Sequence, residues 1–254
     1  MSNENKLFLA RIDDLISKAS GSRFGVTSFL TPEEEQIAKN YLSYCSPAAE
    51  YAFYGGYPEA ERKILVLFPG FADKSTFDPS VYFCPVRIEN GGYSKMTHSS
   101  CLGALMNCSI ERSSLGDICV LSDRCAIVFA LNDVAKLLVT QNVLERVGRD
   151  KVTVEYCSFE EAGGIKREYE EIFCTVASQR LDCLVSEIAN TSREKAKLLI
   201  SQGDVARNHI STPDASRRFE TGDTVSVRGE GKFTVGSIEA TRKGRLRVQL
   251  FKYK

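Results

Sequence analysis

The chain has 254 residues, 43% apolar and 26% charged, a composition that suits two or three ordinary folded domains. No apolar run approaches the roughly 20 residues of a membrane-spanning helix. The opening MSNENKLFLARIDDL interleaves charge with apolar residues where a secretory leader would have an apolar core, so a cytoplasmic protein with no membrane partner is expected.

The formal charge is zero, with 33 Lys+Arg against 33 Asp+Glu, but it is unevenly spread. Residues 180–254 hold 15 basic and 9 acidic residues, a balance of +6, which leaves 18 and 24 in residues 1–179, a balance of −6. A basic end on an acidic chain points to a polyanionic partner. The nine cysteines include no CxxC pair and the only histidines are His98 and His209, so neither a zinc site nor another metal is expected. The thiols read as reduced, small core residues.

In chain order, Phe8, Ile12, Leu15, Ile16 and Ala19 recur at helical spacing, with Gly21 as the stop. A second helix opens at LTPEEEQIAKNYLSY, where Thr31 caps, Pro32 fits the first turn and Glu34 completes a capping box. After the turn YGGYPEAERK come apolar runs at 63–69, 81–88, 117–121, 125–131 and 151–157. Helices are predicted over 98–108 and 132–147, the latter capped by Asn132 or Asp133 and burying Val134, Leu137, Leu138, Val143, Leu144 and Val147. From residue 81 the order is β-α-β-β-α-β, the split arrangement of a ferredoxin-like (RRM-like) domain, with a hairpin turn at Ser122–Arg124. Residues 160–171 read as a charged linker, and 171–178 as a strand entering the basic end.

In the basic end, Leu181, Leu184, Val185 and Ile188 form one helical stripe. A second helix, capped by Thr191 or Ser192, buries Ala196, Leu199 and Ile200 and stops at Gly203. Arg193 and Lys197 lie four apart on it, a like-charge pair that costs a few tenths of a kcal/mol. A phosphate at the helix N-terminus would relieve that repulsion; a plain solvated basic face is the alternative. GDVARNHI, GDTVSVRGEGKFTV and TRKGRLRVQLFKYK then read as turns and hairpins of a small basic sheet.

This end resembles the S4 RNA-binding domain, two helices plus a small β-sheet. Arg180-Leu181-Asp182, Ser192-Arg193, Ala196, Leu199-Ile200, Gly203, Val205, Asn208, Gly222-Asp223 and Val227-Arg228-Gly229 carry the likeness over about 75 residues. Arg207 stands where that family usually has an aliphatic residue. By this resemblance the RNA face holds Arg180, Ser192, Arg193, Lys195, Lys197, Asn208 and Arg228, with Lys232, Arg242, Lys243 and Arg245 as further candidates. Asp182 is expected to orient Arg180 or to cap the first helix.

FLTPEEEQIA, GGYPEAER, LGALMN and IERSSLGDI, together with the basic end, resemble the YlmH-type S4 proteins of Gram-positive bacteria. The family generally has His-Arg-Asp where His98-Ser99-Ser100 stands, and Leu-Gly at Cys108-Ser109. The element order and the resemblance to S4 domains together predict an α+β chain: an N-terminal helical region (1–60), a ferredoxin-like domain (61–165) and an S4 domain (172–254). The resemblance to YlmH-type proteins further implies a non-enzymatic factor, without cofactor, that binds rRNA and tRNA on the large ribosomal subunit and helps rescue subunits obstructed by peptidyl-tRNA. Two other readings are an RNA-acting enzyme using His98 and Cys101 with Asp117 nearby, and an adaptor whose acidic front recruits a protein partner.

Overall fold

The computed structural model describes residues 3–45, 49–166, 169–242 and 244–253, and the chain divides into two compact units, Met1–Lys166 and Arg167–Lys254. Each mixes helices with antiparallel sheet.

In the first unit, α1 (Asn3–Ser20) buries Ile12 and Leu15 on the predicted stripe. The left-handed residue that ends it is Ser22 (φ 67°), one place beyond Gly21. After β1 (Gly25–Val26), α2 (Pro32–Cys45) starts on the expected reciprocal cap. Thr31 N–H donates to Glu34 Oε2 at 2.7 Å, and Glu34 N–H to Thr31 Oγ1 at 3.2 Å. β2 (Tyr51–Tyr54), in a stretch read as helical, and β3 (Ile64–Leu67) complete a sheet ordered β1-β3-β2. All of β3 is buried because its two faces serve two cores. Leu65 and Leu67 meet α1 and α2, while Ile64 and Val66 enter an aromatic cluster with Phe29, Phe77, Phe83 and Phe129.

The chain continues through β4 (Phe83–Asn90), α3 (His98–Asn107), β5 (Leu115–Ser122), β6 (Cys125–Leu131), α4 (Asn132–Thr140), β7 (Arg146–Val147), β8 (Asp150–Tyr156) and α5 (Phe159–Gly163). The sheet order is β5-β6-β4-β8-β7, with every pairing antiparallel. CAIVFAL is unbroken in apolarity because β6 is central and covered on both faces. Ala126, Val128 and Ala130 pack in the core of α3 and α4, and Ile127 and Phe129 in the aromatic cluster opposite. Gly56 (φ 93°) lies directly on the Phe129 ring, where a Cβ would collide with it.

Three local expectations change. The helix predicted over 132–147 stops at Thr140, and Asn142 (φ 49°) turns the chain. Leu144 and Val147 are buried through the β7–β8 hairpin, while Val143 stays 38% exposed. The cap residue of α4 is Leu131, with no side-chain cap, and Asn132 Nδ2 donates to the Ser80 carbonyl instead. The segment read as a linker begins with α5, whose Ser158 hydroxyl accepts the Glu161 N–H. The two departures from the family pattern also acquire local roles. Ser100 completes a capping box with Thr97 at the start of α3, a task an aspartate there would share. Ser109 holds φ 60°, the left-handed region that favours glycine.

The second unit opens with β9 (Tyr169–Val176), α6 (Leu181–Ile188) and α7 (Arg193–Ser201). Then come β10 (Val205–Arg207), β11 (Ile210–Ser211), β12 (Thr224–Val227), β13 (Gly231–Ala240) and β14 (Leu246–Tyr253). The sheet runs β11-β10-β12-β13-β14-β9. Its inner face, from Val205, Val225, Phe233, Val235, Val248 and Leu250, packs on the apolar sides of the two helices. α7 ends on Gly203 (φ 83°), with Gly203 N–H bonded to Ile200 O and Asp204 N–H to Leu199 O, the Schellman pattern.

Candidate nucleic-acid interface

The leading cations owe their placement to one acid. In α6, Leu181, Leu184 and Val185 are buried and Ile188 is half-buried, and Asp182 is drawn in beside them to 0% exposure. A carboxylate so placed must be paired and hydrogen-bonded. Arg180 donates from Nε to Oδ1 at 3.1 Å and from Nη2 to Oδ2 at 3.0 Å. Arg193, at the start of α7, donates from Nη2 to Oδ1 at 3.3 Å and to Oδ2 at 3.0 Å. Burial alone would push the Asp182 carboxyl up; the bonds from Arg180 and Arg193, with the Arg193 charge, outweigh it and hold it at about 2. The Arg180 and Arg193 side chains stay 37% and 48% exposed. One buried acid thus orients two solvent-facing guanidinium groups.

The Arg193–Lys197 juxtaposition finds its acid here too, supplied from α6 instead of from the same helix. Ser192 caps α7, its hydroxyl accepting Lys195 N–H at 3.3 Å. Ala196 and Ile200 are buried and Leu199 half-buried, while Ser192, Arg193, Lys195 and Lys197 are exposed.

The other candidates lie elsewhere. Asn208 and His209 (φ 50° and 67°) form the two-residue β10–β11 turn. The Asn208 amide donates to Asp223 Oδ1 at 2.7 Å and accepts Thr224 N–H at 2.8 Å, so it builds the turn first. Arg228 is 83% exposed at the β12–β13 bend and reaches Asp204 Oδ1 at 3.2 Å, beside the end of α7 opposite Arg193. Lys232 sits 4.7 Å over the Tyr253 ring. Arg242 is exposed in the β13–β14 turn, Arg245 donates to the Thr175 carbonyl at 2.8 Å, and Lys243 lies outside the described residues. The two bends stand at opposite ends of the ten-residue β13, about 30 Å apart at the usual strand rise. Arg180 and Arg193 therefore converge, and α7 carries Lys195 and Lys197 beside them. Arg228 with Lys232, and Arg242 with Arg245, form two separate groups.

Sequence reasoning did not name the adjacent arginines Arg217 and Arg218. The loop holding Arg217 and Arg218 folds onto the start of α6, where Leu181 N–H donates to Arg217 O at 2.9 Å and Asp182 N–H to Ala215 O at 3.0 Å. Arg218 stands opposite Arg180 in an antiparallel bridge, and both loop arginines are exposed. The adjacent pair in TPDASRRFE was the available signal. Arg207, noted in the sequence as a departure from the S4 pattern, is turned inward: its Nε donates to Asp223 Oδ2 at 2.7 Å, with side chains only 15% and 8% exposed.

Two residues of the enzymatic reading, Cys101 and Asp117, lie inside the fold. Cys101 is fully buried, and burial pushes its thiol up to about 11, away from the thiolate form. Asp117 is 7% exposed and bonded to Tyr57 and two backbone N–H groups. Among the described residues no group of three or more His, Cys, Asp or Glu is placed to hold a metal ion, and no helix is long and apolar enough to cross a membrane.

Residues 86–161 match a family model described as "Putative RNA-binding domain in YlmH". Over 229 residues the chain is 32% identical to the ribosome-associated protein quality control protein P2 of Bacillus subtilis (strain 168), covering 89% of this chain and 86% of that one. The chain belongs to the YlmH family. A solved structure of the cell division protein ylmH from Streptococcus pneumoniae matches with a TM-score of 0.50 at 24% identity, over 64% of this chain and 96% of that one, a likeness of fold. The family model runs from within β4 into α5, whereas every RNA-face candidate named from the sequence lies at residue 180 or beyond. Composition could not have flagged the matched stretch, since residues 86–161 hold 8 Lys+Arg against 10 Asp+Glu.

Proposed function

We propose that this YlmH-family chain is a non-enzymatic RNA-binding factor that engages rRNA and tRNA on the large ribosomal subunit. Its task there would be to help rescue subunits obstructed by peptidyl-tRNA. One observation carries the reading: buried Asp182 holds Arg180 and Arg193 together at the exposed start of α7. Paired guanidinium groups held in fixed orientation suit phosphate oxygens. The two helices backed by a small sheet support assignment of the C-terminal unit as an S4 domain. The order β5-β6-β4-β8 with α3 and α4 on one face supports a ferredoxin-like middle domain. The ribosomal setting is inferred from the Bacillus relative's name. A protein partner recruited through the acidic front is compatible with this role.

Crosslinking in cells, followed by sequencing of the attached RNA, tests the proposal. Reads should concentrate in large-subunit rRNA and tRNA and fall sharply in the Arg180→Ala/Arg193→Ala double variant. Reads dispersed over messenger RNA, or unaffected by the two substitutions, would remove the ribosomal assignment.

A further inference from the structure

Three of the segments that carry the family resemblance meet in the first unit, far in sequence from the basic end. Asp117 and Arg62 tie them together. Tyr57 Oη donates to Asp117 at 2.7 Å, and the N–H groups of Glu61 and Arg62 at 2.8 and 3.0 Å. Arg62 uses its guanidinium on carbonyls: Nε on Leu115 at 2.9 Å, and Nη2 on Phe29 and Arg112 at 3.0 and 3.3 Å. Those bonds knit GGYPEAER to IERSSLGDI.

Arg112 behaves differently. Only its Nη1 is used, donating to the carbonyls of Leu115 and Gly116 at 2.7 and 3.0 Å. Nε and Nη2 form the edge that grips an oxyanion through two parallel bonds. Among the described residues that edge has no hydrogen-bonded acceptor. Arg180 applies the same edge to Asp182; among the described residues no carboxylate is hydrogen-bonded to that edge of Arg112. It is half-buried, and burial together with the neighbouring Arg62 charge pushes its guanidinium down to about 10, against the pull of Asp117. An anion on the open edge would relieve both costs.

His98 is the exposed first residue of α3, and the charges that act on it are Arg112, Asp117 and Glu61. Partial desolvation and the Arg112 charge hold its imidazole below the ordinary histidine value, with Asp117 and Glu61 acting the other way. The neutral ring keeps one N–H that can donate to an oxyanion.

We propose that the open Nε–Nη2 edge of Arg112, with the His98 imidazole, is an oxyanion site that takes a phosphodiester of RNA. Both residues fall within 86–161, the stretch matched by the family's RNA-binding model. The choice of RNA as the phosphate source rests on the function proposed above; the oxyanion site itself rests on the open edge of Arg112 and on the charge that Arg112 exerts on His98.

His98 and His209 are the chain's only histidines, so imidazole resonances of the full-length protein give a direct reading. Titration with inorganic phosphate should move the His98 signals and raise the His98 pKa while leaving His209 in place. A short RNA stem-loop should move His98 as well. Arg112→Lys keeps the charge and can still reach the two carbonyls, but it lacks the two-pronged edge. It should weaken phosphate binding about tenfold, the order expected for a lost charge-assisted bond. His98→Ala, at an exposed position, should weaken it in the same direction with the fold intact. A His98 resonance unmoved by phosphate, or phosphate affinity unchanged in both variants, overturns the site. Phosphate binding without a His98 response to bound RNA overturns the RNA assignment and leaves a free-phosphate site. The Arg180→Ala/Arg193→Ala variant separates the two proposals, since it should lose most RNA affinity yet keep the full His98 response to phosphate.

Discussion

Asp223→Asn should cost about 3 kcal/mol of stability, the scale for breaking a buried ion pair and stranding one partner. The stranded partner is Arg207, only 15% exposed. The new amide oxygen could still accept from Glu220 N–H, the bond that now measures 2.7 Å, but it would carry no charge for Arg207 to meet. The sharper expectation concerns a second change. Arg207→Ile removes the stranded guanidinium and puts an apolar side chain in its place. The Arg207→Ile/Asp223→Asn double variant should therefore be more stable than Asp223→Asn alone. Urea unfolding of all three chains measures this, and a double variant no better than the single would show that Arg207 is not what Asp223 neutralises.

Asp182→Asn should cost about 2–3 kcal/mol and weaken RNA binding about tenfold. Two lines give the stability figure. The arginines left behind are already 37% and 48% exposed, so water can take up part of the loss and the cost falls short of a fully buried pair. Independently, the Asp182 carboxyl is held at about 2 against an unfolded value near 3.9, which corresponds to about 2–3 kcal/mol by linkage. The sign follows from the depressed pKa. This stabilisation is fully present above the unfolded value and drains away as pH falls from about 4 through about 2. The wild-type protein should lose stability over that window, and Asp182→Asn should lose less. Thermal unfolding at stepped acid pH reads the difference, and parallel curves for the two chains would contradict it. The affinity loss follows because an asparagine cannot hold two guanidinium groups by charge, so each regains rotamer freedom that RNA must then remove.

Much of this was legible from residue order. The capping box at Thr31–Glu34, the apolar stripes of α6 and α7, and the Gly203 stop depend on contacts within a few residues, and they stand where the spacing puts them. Distances along the chain could not disclose what depends on folding. The 132–147 stretch keeps a helical apolar rhythm, yet Leu144 and Val147 are buried by pairing of β7 with β8, a tertiary choice that overrides it. The acid that balances Arg193 lies eleven residues upstream on another helix. Asn208 matched the family pattern as a surface residue, but its left-handed backbone and its bonds to Asp223 and Thr224 are properties of the folded turn. Arg112 looked ordinary inside IERSSLGDI; only the fold shows that its neighbours leave one edge of it open.

The central claim is that Arg180 and Arg193, fixed by Asp182, grip RNA phosphates. Its most direct test is the salt dependence of binding to a structured RNA, measured for the wild-type chain and for Arg180→Ala/Arg193→Ala. Each phosphate contact adds roughly 0.7–0.9 to the slope of log affinity against log salt. The double variant should therefore show a slope shallower by about 1.5, with weaker binding at low salt. Equal slopes and equal affinities for the two chains would contradict the claim.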